Sequence, residues 1–206
     1  MDISDMKEAV CSMAKQSYSE KLFAGTSGNL SVFDRESGIM VITPTSVPYE
    51  LITPGDMVAM RTDGSIVDGR LSPSSEWRMH AEIYNGKSGV GALVHTHSPF
   101  ATAFAAAHRN IPAALIEMVH FLGGDVPLAK FAVPGTADVG LEALKALKDR
   151  NACLLANHGV LTVGRDLSEA HIRAVYVEDA AKICILAKGA GGIHSLSDEA
   201  IAAMKG

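Results

Sequence analysis

The sequence predicts an α/β fold in which a mostly antiparallel sheet is covered by helices, within a single domain spanning residues 1–206. Three observations carry this expectation. Short apolar runs with strand character alternate with longer runs at helical spacing. Gly38 and Thr62-Asp63-Gly64 supply hairpin-type turns between neighbouring strands. A chain of 206 residues suffices for one sizeable core and little more.

The elements follow in order. Residues 4–22 read as a helix, with Ser4 and Asp5 as caps and Met6, Ala9, Val10, Met13 and Ala14 at helical spacing. Gly25 to Asn29 breaks that pattern and leads into the alternating strand Leu30 to Phe33, with Ile39 to Ile42 as its antiparallel neighbour. Residues 57–61 and 65–67 form the next hairpin. After Ser72-Pro73-Ser74-Ser75, Glu76 to Tyr84 reads as a helix with Ser74 or Ser75 near its cap. Val90 to Thr96 is a strand and 99–107 an alanine-rich helix; 137–149 is amphipathic, with Leu141, Leu144 and Leu147 on one side. Strands at 152–156 and 160–163 flank Asn157-His158-Gly159, and helices near 168–187 and 197–204 close the chain.

Composition narrows the function. Hydrophobic residues make up 48% and charged residues 20%, values of a soluble globular domain, while aromatic residues at 5% leave the core to aliphatic side chains. A net charge of −5 without a basic stretch argues against nucleic acid as a partner. No apolar stretch approaches the ~20 residues that span a bilayer, and acid rather than Lys or Arg occupies the first residues. Cys11, Cys153 and Cys184 are odd in number, far apart and set in apolar segments, so a disulfide framework is not expected. A cytoplasmic protein is the expectation.

The chemical signal is a set of histidines at strand ends. In His95-Thr96-His97 the two imidazoles lie two apart on a strand and share a face. His158, in a tight turn between two strands, supplies a third. Three such ligands and an open position are the pattern of a catalytic zinc site. Glu76, at a helix start, is the fourth candidate, as ligand and as general base. Imidazole favours zinc or another divalent transition metal, such as cobalt, manganese or iron, over magnesium. His80, one turn after Glu76, reads as a packing residue or one that supports the ligands. Three loops, Gly25 to Asn29, Thr43 to Ser46 and Ser72 to Ser75, combine small residues with hydroxyls and suit an anion bound by neutral donors.

Gly25-Thr26-Ser27-Gly28-Asn29-Leu30-Ser31, Thr43-Pro44-Thr45-Ser46, Pro73-Ser74-Ser75-Glu76, His95-Thr96-His97 and Asn157-His158-Gly159 occur in the order seen in class II aldolases of the fuculose-1-phosphate aldolase type. The chain resembles that family from about residue 5 to residue 200. The resemblance implies a three-layer α/β/α fold, zinc on His95, His97 and His158, and Glu76 as a ligand that swings off to act as acid and base. It places the substrate phosphate among Asn29, Thr45, Ser46, Ser74 and Ser75, with Thr26 and Gly28 shaping the pocket. It further implies cleavage of a phosphorylated sugar, a ketose 1-phosphate, to dihydroxyacetone phosphate and an aldehyde through a metal-stabilised enediolate. A cyclic homotetramer with the site at a subunit boundary completes the picture.

The chain departs from the pattern in three places, one being that it stops at Lys205-Gly206 without the longer tail that helps close the site in those enzymes. Ser46 stands where those enzymes commonly have glycine, and Glu117 where they offer a proton-donating tyrosine from the next subunit; Glu117, or else His120, is the candidate replacement. Alternatives on the same metal site are a sugar-phosphate 4-epimerase, a decarboxylase or a dehydratase. The 4-epimerases typically carry Lys-Pro-Ser-Gly where this chain has Thr43-Pro44-Thr45-Ser46. An adducin-like interaction domain is disfavoured by the filled ligand positions.

Overall fold

A computed structural model describes residues 2–205. Its centre is one eight-stranded sheet, made of β1 (Asn29–Asp34), β2 (Ile39–Ile42), β3 (Val58–Arg61), β4 (Ile66–Asp68), β5 (Ala92–Thr96), β6 (Leu128–Ala129), β7 (Ala152–Leu155) and β8 (Gly159–Gly164). The spatial order is β4-β3-β2-β1-β5-β8-β7-β6. Every neighbouring pair is antiparallel except β6 with β7. The helices are α1 (Ile3–Ser19), α2 (Trp77–Gly86), α3 (Pro99–Ala106), α4 (Ala137–Leu147), α5 (Leu167–Gly189) and α6 (Asp198–Lys205).

Side-chain alternation builds the three layers. On β5, Leu93 points with Leu161 and Val163 of β8 toward Met79, Ile83, Val139 and Leu147 of α2 and α4. Ala92 and Val94 point the other way, with Leu30, toward Met6, Val10 and Ala14 of α1 and Ala170 and Ala174 of α5. Farther along that second face, Ala101 and Phe104 of α3 pack with Leu154, Val160, Val177 and Cys184. The expected α/β/α sandwich with a mostly antiparallel sheet is what the chain forms.

Three local features hold the parts that matter below. The guanidinium of Arg35 donates to the carbonyls of Tyr84, Lys87 and Val90, closing the C-terminal end of α2 with a cation where its dipole is negative. The carboxylate of Glu178 on α5 accepts from the amides of Phe100 and Ala101, capping α3 immediately after the histidine pair. Gly140 lets α4 cross α2 closely; a Cβ there would lie 2.9 Å from the Met79 carbonyl.

Some elements differ from expectation. Leu141 is exposed, and the buried face of α4 is Val139, Gly140, Ala143 and Leu147. The cap of α2 is Glu76 itself, with the Ser74 hydroxyl accepting from its amide at 3.3 Å. The two-residue strand β6, the 3₁₀ turn Pro54–Asp56 and the π-helical turn Met118–Leu122 carry no periodicity that a sequence pattern could reveal. Among the described residues no helix is long and apolar enough to cross a membrane. Cys11, Cys153 and Cys184 are free and buried.

Candidate metal centre

Four side chains from three stretches of chain meet at one end of the sheet. His95 is the last residue of β5 on the α2 face, one before the strand ends at Thr96, and His97 follows just beyond it. His158 sits in the turn between β7 and β8, and β8 pairs with β5 so that His95 faces Leu161. Glu76 comes from the start of α2. One ligand atom from each of Glu76, His95, His97 and His158 lies within 4.8 Å of all the others. Gly159 makes the approach possible, because a Cβ there would collide with the Thr96 carbonyl and press on the His95 and His97 rings at 3.3 Å.

The polar contacts are those of a site shaped for a cation. His95 Nδ1 donates to the Val160 carbonyl at 2.8 Å, which turns its Nε2 inward. That Nε2 is 3.0 Å from His97 Nε2 and 3.1 Å from Glu76 Oε2. Glu76 Oε1 is 3.2 Å from His158 Nε2, close enough for attraction but not aligned as a hydrogen bond, and it is buried without a hydrogen-bond partner. A buried carboxylate oxygen without a hydrogen-bond partner, beside a cluster of three imidazoles, fits a shared cation. The donor set, three imidazoles and one carboxylate, suits a divalent transition metal.

Charge coupling supports the same picture. Burial opposes ionisation of Glu76, but the His95 and His158 rings and the Asn29 amide outweigh it and hold the carboxyl well below its usual range. Burial would lower His95, yet Glu76 raises it above the ordinary imidazole value. Burial and the neighbouring His95 push His97 and His158 down to about 4, so both rings are neutral and carry a free lone pair at neutral pH.

Behind Glu76 runs a buried polar chain. Asn29 Nδ2 donates to Glu76 Oε2 at 3.0 Å, and Asn29 Oδ1 is 2.6 Å from His80 Nε2. His80 Nδ1 is 2.6 Å from the Ser31 hydroxyl, which is 2.7 Å from Tyr84 Oη. Burial pushes His80 down to about 3 and keeps the ring neutral.

The three small-residue loops converge beside this cluster. Ser74 N donates to the Thr43 carbonyl at 3.0 Å and Thr45 N to the Ser72 carbonyl at 3.1 Å, with Pro44 and Pro73 forming an isolated bridge. That pairing sets Thr43 opposite Ser74 and Thr45 opposite Ser72. Leu30 and Thr43 exchange hydrogen bonds, tying in the start of β1. Thr26, Ser46 and Ser75 are exposed, Gly28 and Thr45 are partly so, and Asn29 and Ser74 are buried. Ser46 has φ 59°, the left-handed region. Gly28 has φ 88°, and a Cβ there would lie 2.6 Å from the Phe23 ring.

Glu117 is not among the four clustered groups. It precedes the π-helical turn and lines a separate hollow with Leu115, Met118, Tyr176 and Asp179. His120 is exposed. The Asn29–His80–Ser31–Tyr84 chain was not foreseen, although Glu76, His80 and Tyr84 are spaced four apart and Asn29 and Ser31 two apart, the signals of one helix face against one strand face. The contact of His108 Nε2 with Asn157 Oδ1 at 2.6 Å, between two non-glycine residues of positive φ, also went unforeseen.

Comparison with known proteins places this geometry in context. The profile of the family described as "Class II Aldolase and Adducin N-terminal domain" matches residues 8–185. A 5-deoxy-D-ribulose 1-phosphate aldolase of Bacillus thuringiensis serovar kurstaki is 35% identical over 185 residues, covering 90% of this chain and 86% of that protein. An L-ribulose-5-phosphate 4-epimerase of Salmonella paratyphi A is 35% identical over 185 residues, covering 84% of this chain and 81% of that protein. The solved structure of an L-fuculose 1-phosphate aldolase superimposes with a TM-score of 0.93 at 38% identity, covering 97% of this chain and 94% of that one.

Proposed function

From the premise that the chain belongs to the class II aldolase and adducin family, as an enzyme of the aldolase class, we propose that it cleaves a ketose 1-phosphate to dihydroxyacetone phosphate and an aldehyde. The convergence of Glu76, His95, His97 and His158 carries the reading. These four would hold a divalent cation, with zinc the best match to the donors. When bound, such a cation supplies Lewis-acid stabilisation of the negative charge that develops on the substrate oxygens.

The chain's own residues do the rest. In the bond-forming direction the Glu76 carboxylate, held ionised by its surroundings, takes a proton from the hydroxyl-bearing carbon of dihydroxyacetone phosphate. That carbon then adds to the aldehyde carbonyl. In cleavage the carbon–carbon bond breaks and Glu76 returns the proton to the same carbon. Asn29, Thr45, Ser46, Ser74 and Ser75 would bind the phosphate, with Thr26 and Gly28 shaping the loop; Ser74 and Ser75 directly precede Glu76, which fixes the phosphate-to-carbon separation. Glu117 of a neighbouring copy in a cyclic tetramer is the candidate for proton transfer at the aldehyde oxygen. The chain acts as one domain, in the cytoplasm, on a small phosphorylated sugar, without nucleic acid or membrane as partner.

The ketose is of the 5-deoxyribulose or fuculose 1-phosphate kind. The test is a panel of ketose 1-phosphates incubated with zinc-loaded protein and assayed for dihydroxyacetone phosphate. Release from at least one, abolished by Glu76→Ala, is expected. Ribulose 5-phosphate, added to the panel and converted to its 4-epimer, would instead support the epimerase reading, which the Salmonella relative raises.

A further inference from the structure

We infer that His80 is a positioning residue for Glu76: backed by Ser31, it fixes the Asn29 side chain so that its NH₂ group, and not its carbonyl, always faces the carboxylate. The geometry stands by itself; its consequence for metal and turnover rests on the role proposed for Glu76.

Helix α2 presents Glu76, His80 and Tyr84 at four-residue intervals, and β1 presents Asn29 and Ser31 two residues apart. The two rows interleave. Glu76 meets Asn29 at 3.0 Å, Asn29 meets His80 at 2.6 Å, His80 meets Ser31 at 2.6 Å, and Ser31 meets Tyr84 at 2.7 Å. All five are buried, His80 and Ser31 completely. Each contact therefore needs one proton, and water is not there to supply a missing one.

Counting protons gives the chain a direction. An ionised carboxylate only accepts, so Asn29 turns Nδ2 toward Glu76 and leaves Oδ1 toward His80. Oδ1 also only accepts, so His80 must carry its proton on Nε2. A neutral ring then has a bare Nδ1, which accepts from the Ser31 hydroxyl. Tyr84 Oη lies 2.7 Å from the Ser31 oxygen and donates its one proton to the Ser31 carbonyl at 3.0 Å. From Ser31 through His80 and Asn29, the protons thus point toward Glu76. An apolar side chain at position 80 would leave the Asn29 amide free to present its carbonyl, and two acceptors would then meet at Glu76 Oε2.

The experiment has two arms. In ¹⁵N-labelled, metal-free protein, long-range ¹H–¹⁵N correlations of the His80 ring distinguish its tautomers; the Nε2–H form is expected, and the Nδ1–H form would overturn the inference. In the second arm His80→Leu and His80→Gln are compared, since glutamine can donate to Asn29 and accept from Ser31. The leucine variant should lose roughly 10- to 100-fold in zinc affinity by calorimetry and in kcat, with KM little changed, while glutamine stays within a few-fold of the parent. Equal losses in the two variants would make His80 a packing residue only. If His80→Leu does not fold, the tautomer decides. If no ketose is cleaved by the parent protein, the tautomer and zinc affinities still judge His80, so failure of the two readings can be told apart.

Discussion

Ser46 shows how one backbone angle ties a loop to its chemistry. With φ 59°, it holds a conformation that costs an L-residue roughly 1–2 kcal/mol, at the position where the resembling enzymes commonly use glycine. The hydroxyl must offset that cost through what it contacts, and Thr45 Oγ1 at 3.4 Å is a weak partner. On the function proposed above, the return is a contact with the substrate phosphate. Ser46→Gly should leave urea stability within about 1 kcal/mol of the parent, because relieved strain and added chain entropy offset each other. It should raise KM for the phosphorylated substrate several-fold, and an unchanged KM would remove Ser46 from the phosphate site. The four clustered residues were legible from sequence because His is rare and the strand repeat sets the spacing of His95 and His97. His80 was legible only as a helper; its role depends on Asn29 and Ser31, which lie about fifty residues away and meet it only in the folded sheet.

Among the elements, the corner where β5, β8 and α3 meet controls the histidine geometry. Gly159 is the point at which β8 backs onto the Thr96 carbonyl. Gly159→Ala should push the two strands apart, lowering stability by roughly 1–3 kcal/mol and weakening metal affinity by at least 10-fold. Denaturant titration and calorimetry read the two effects; loss of neither would mean that the strands have slack at this point. Glu178 anchors the other side of the corner by capping α3 with two amide contacts. Glu178→Ala should cost about 0.5–2 kcal/mol in stability, as loss of a helix cap does. Element positions were readable from periodicity for long helices and alternating strands. Residues 110–136 were not, because a two-residue strand and a single π turn contain too few residues to show a repeat. On α4, Leu144 and Leu147 pack on the core as expected, and only Leu141 was misplaced, for a related reason. Counting leucines ignored Gly140 and Ala143, the small residues that let α4 lie against α2.

For the molecule as a whole, the candidate metal centre joins parts of the chain that are otherwise held by their own local packing. Glu76 belongs to the layer of α2 and α4, whereas His95, His97 and His158 belong to the sheet and its connecting turns. A cation held between them would fasten layer to sheet. Ligand present at 100 times its dissociation constant stabilises a fold by about 2.7 kcal/mol. Zinc addition to chelator-treated protein should therefore raise the melting temperature by several degrees, and His97→Ala should abolish the rise. The sandwich itself and the order of its motifs were legible in the sequence; the hydrogen-bond chain behind the site was not, since its polarity is settled by burial.

The central claim is that three imidazoles and one carboxylate from separate stretches of chain serve a single divalent cation. Metal analysis of protein purified without added chelator, by inductively coupled plasma mass spectrometry, tests it most directly. The account predicts one equivalent of a divalent transition metal per chain, falling to a small fraction in each of His95→Ala, His97→Ala and His158→Ala while the variants keep their native circular dichroism. A folded parent protein that retains no such metal, and takes up none when zinc is supplied, would contradict it.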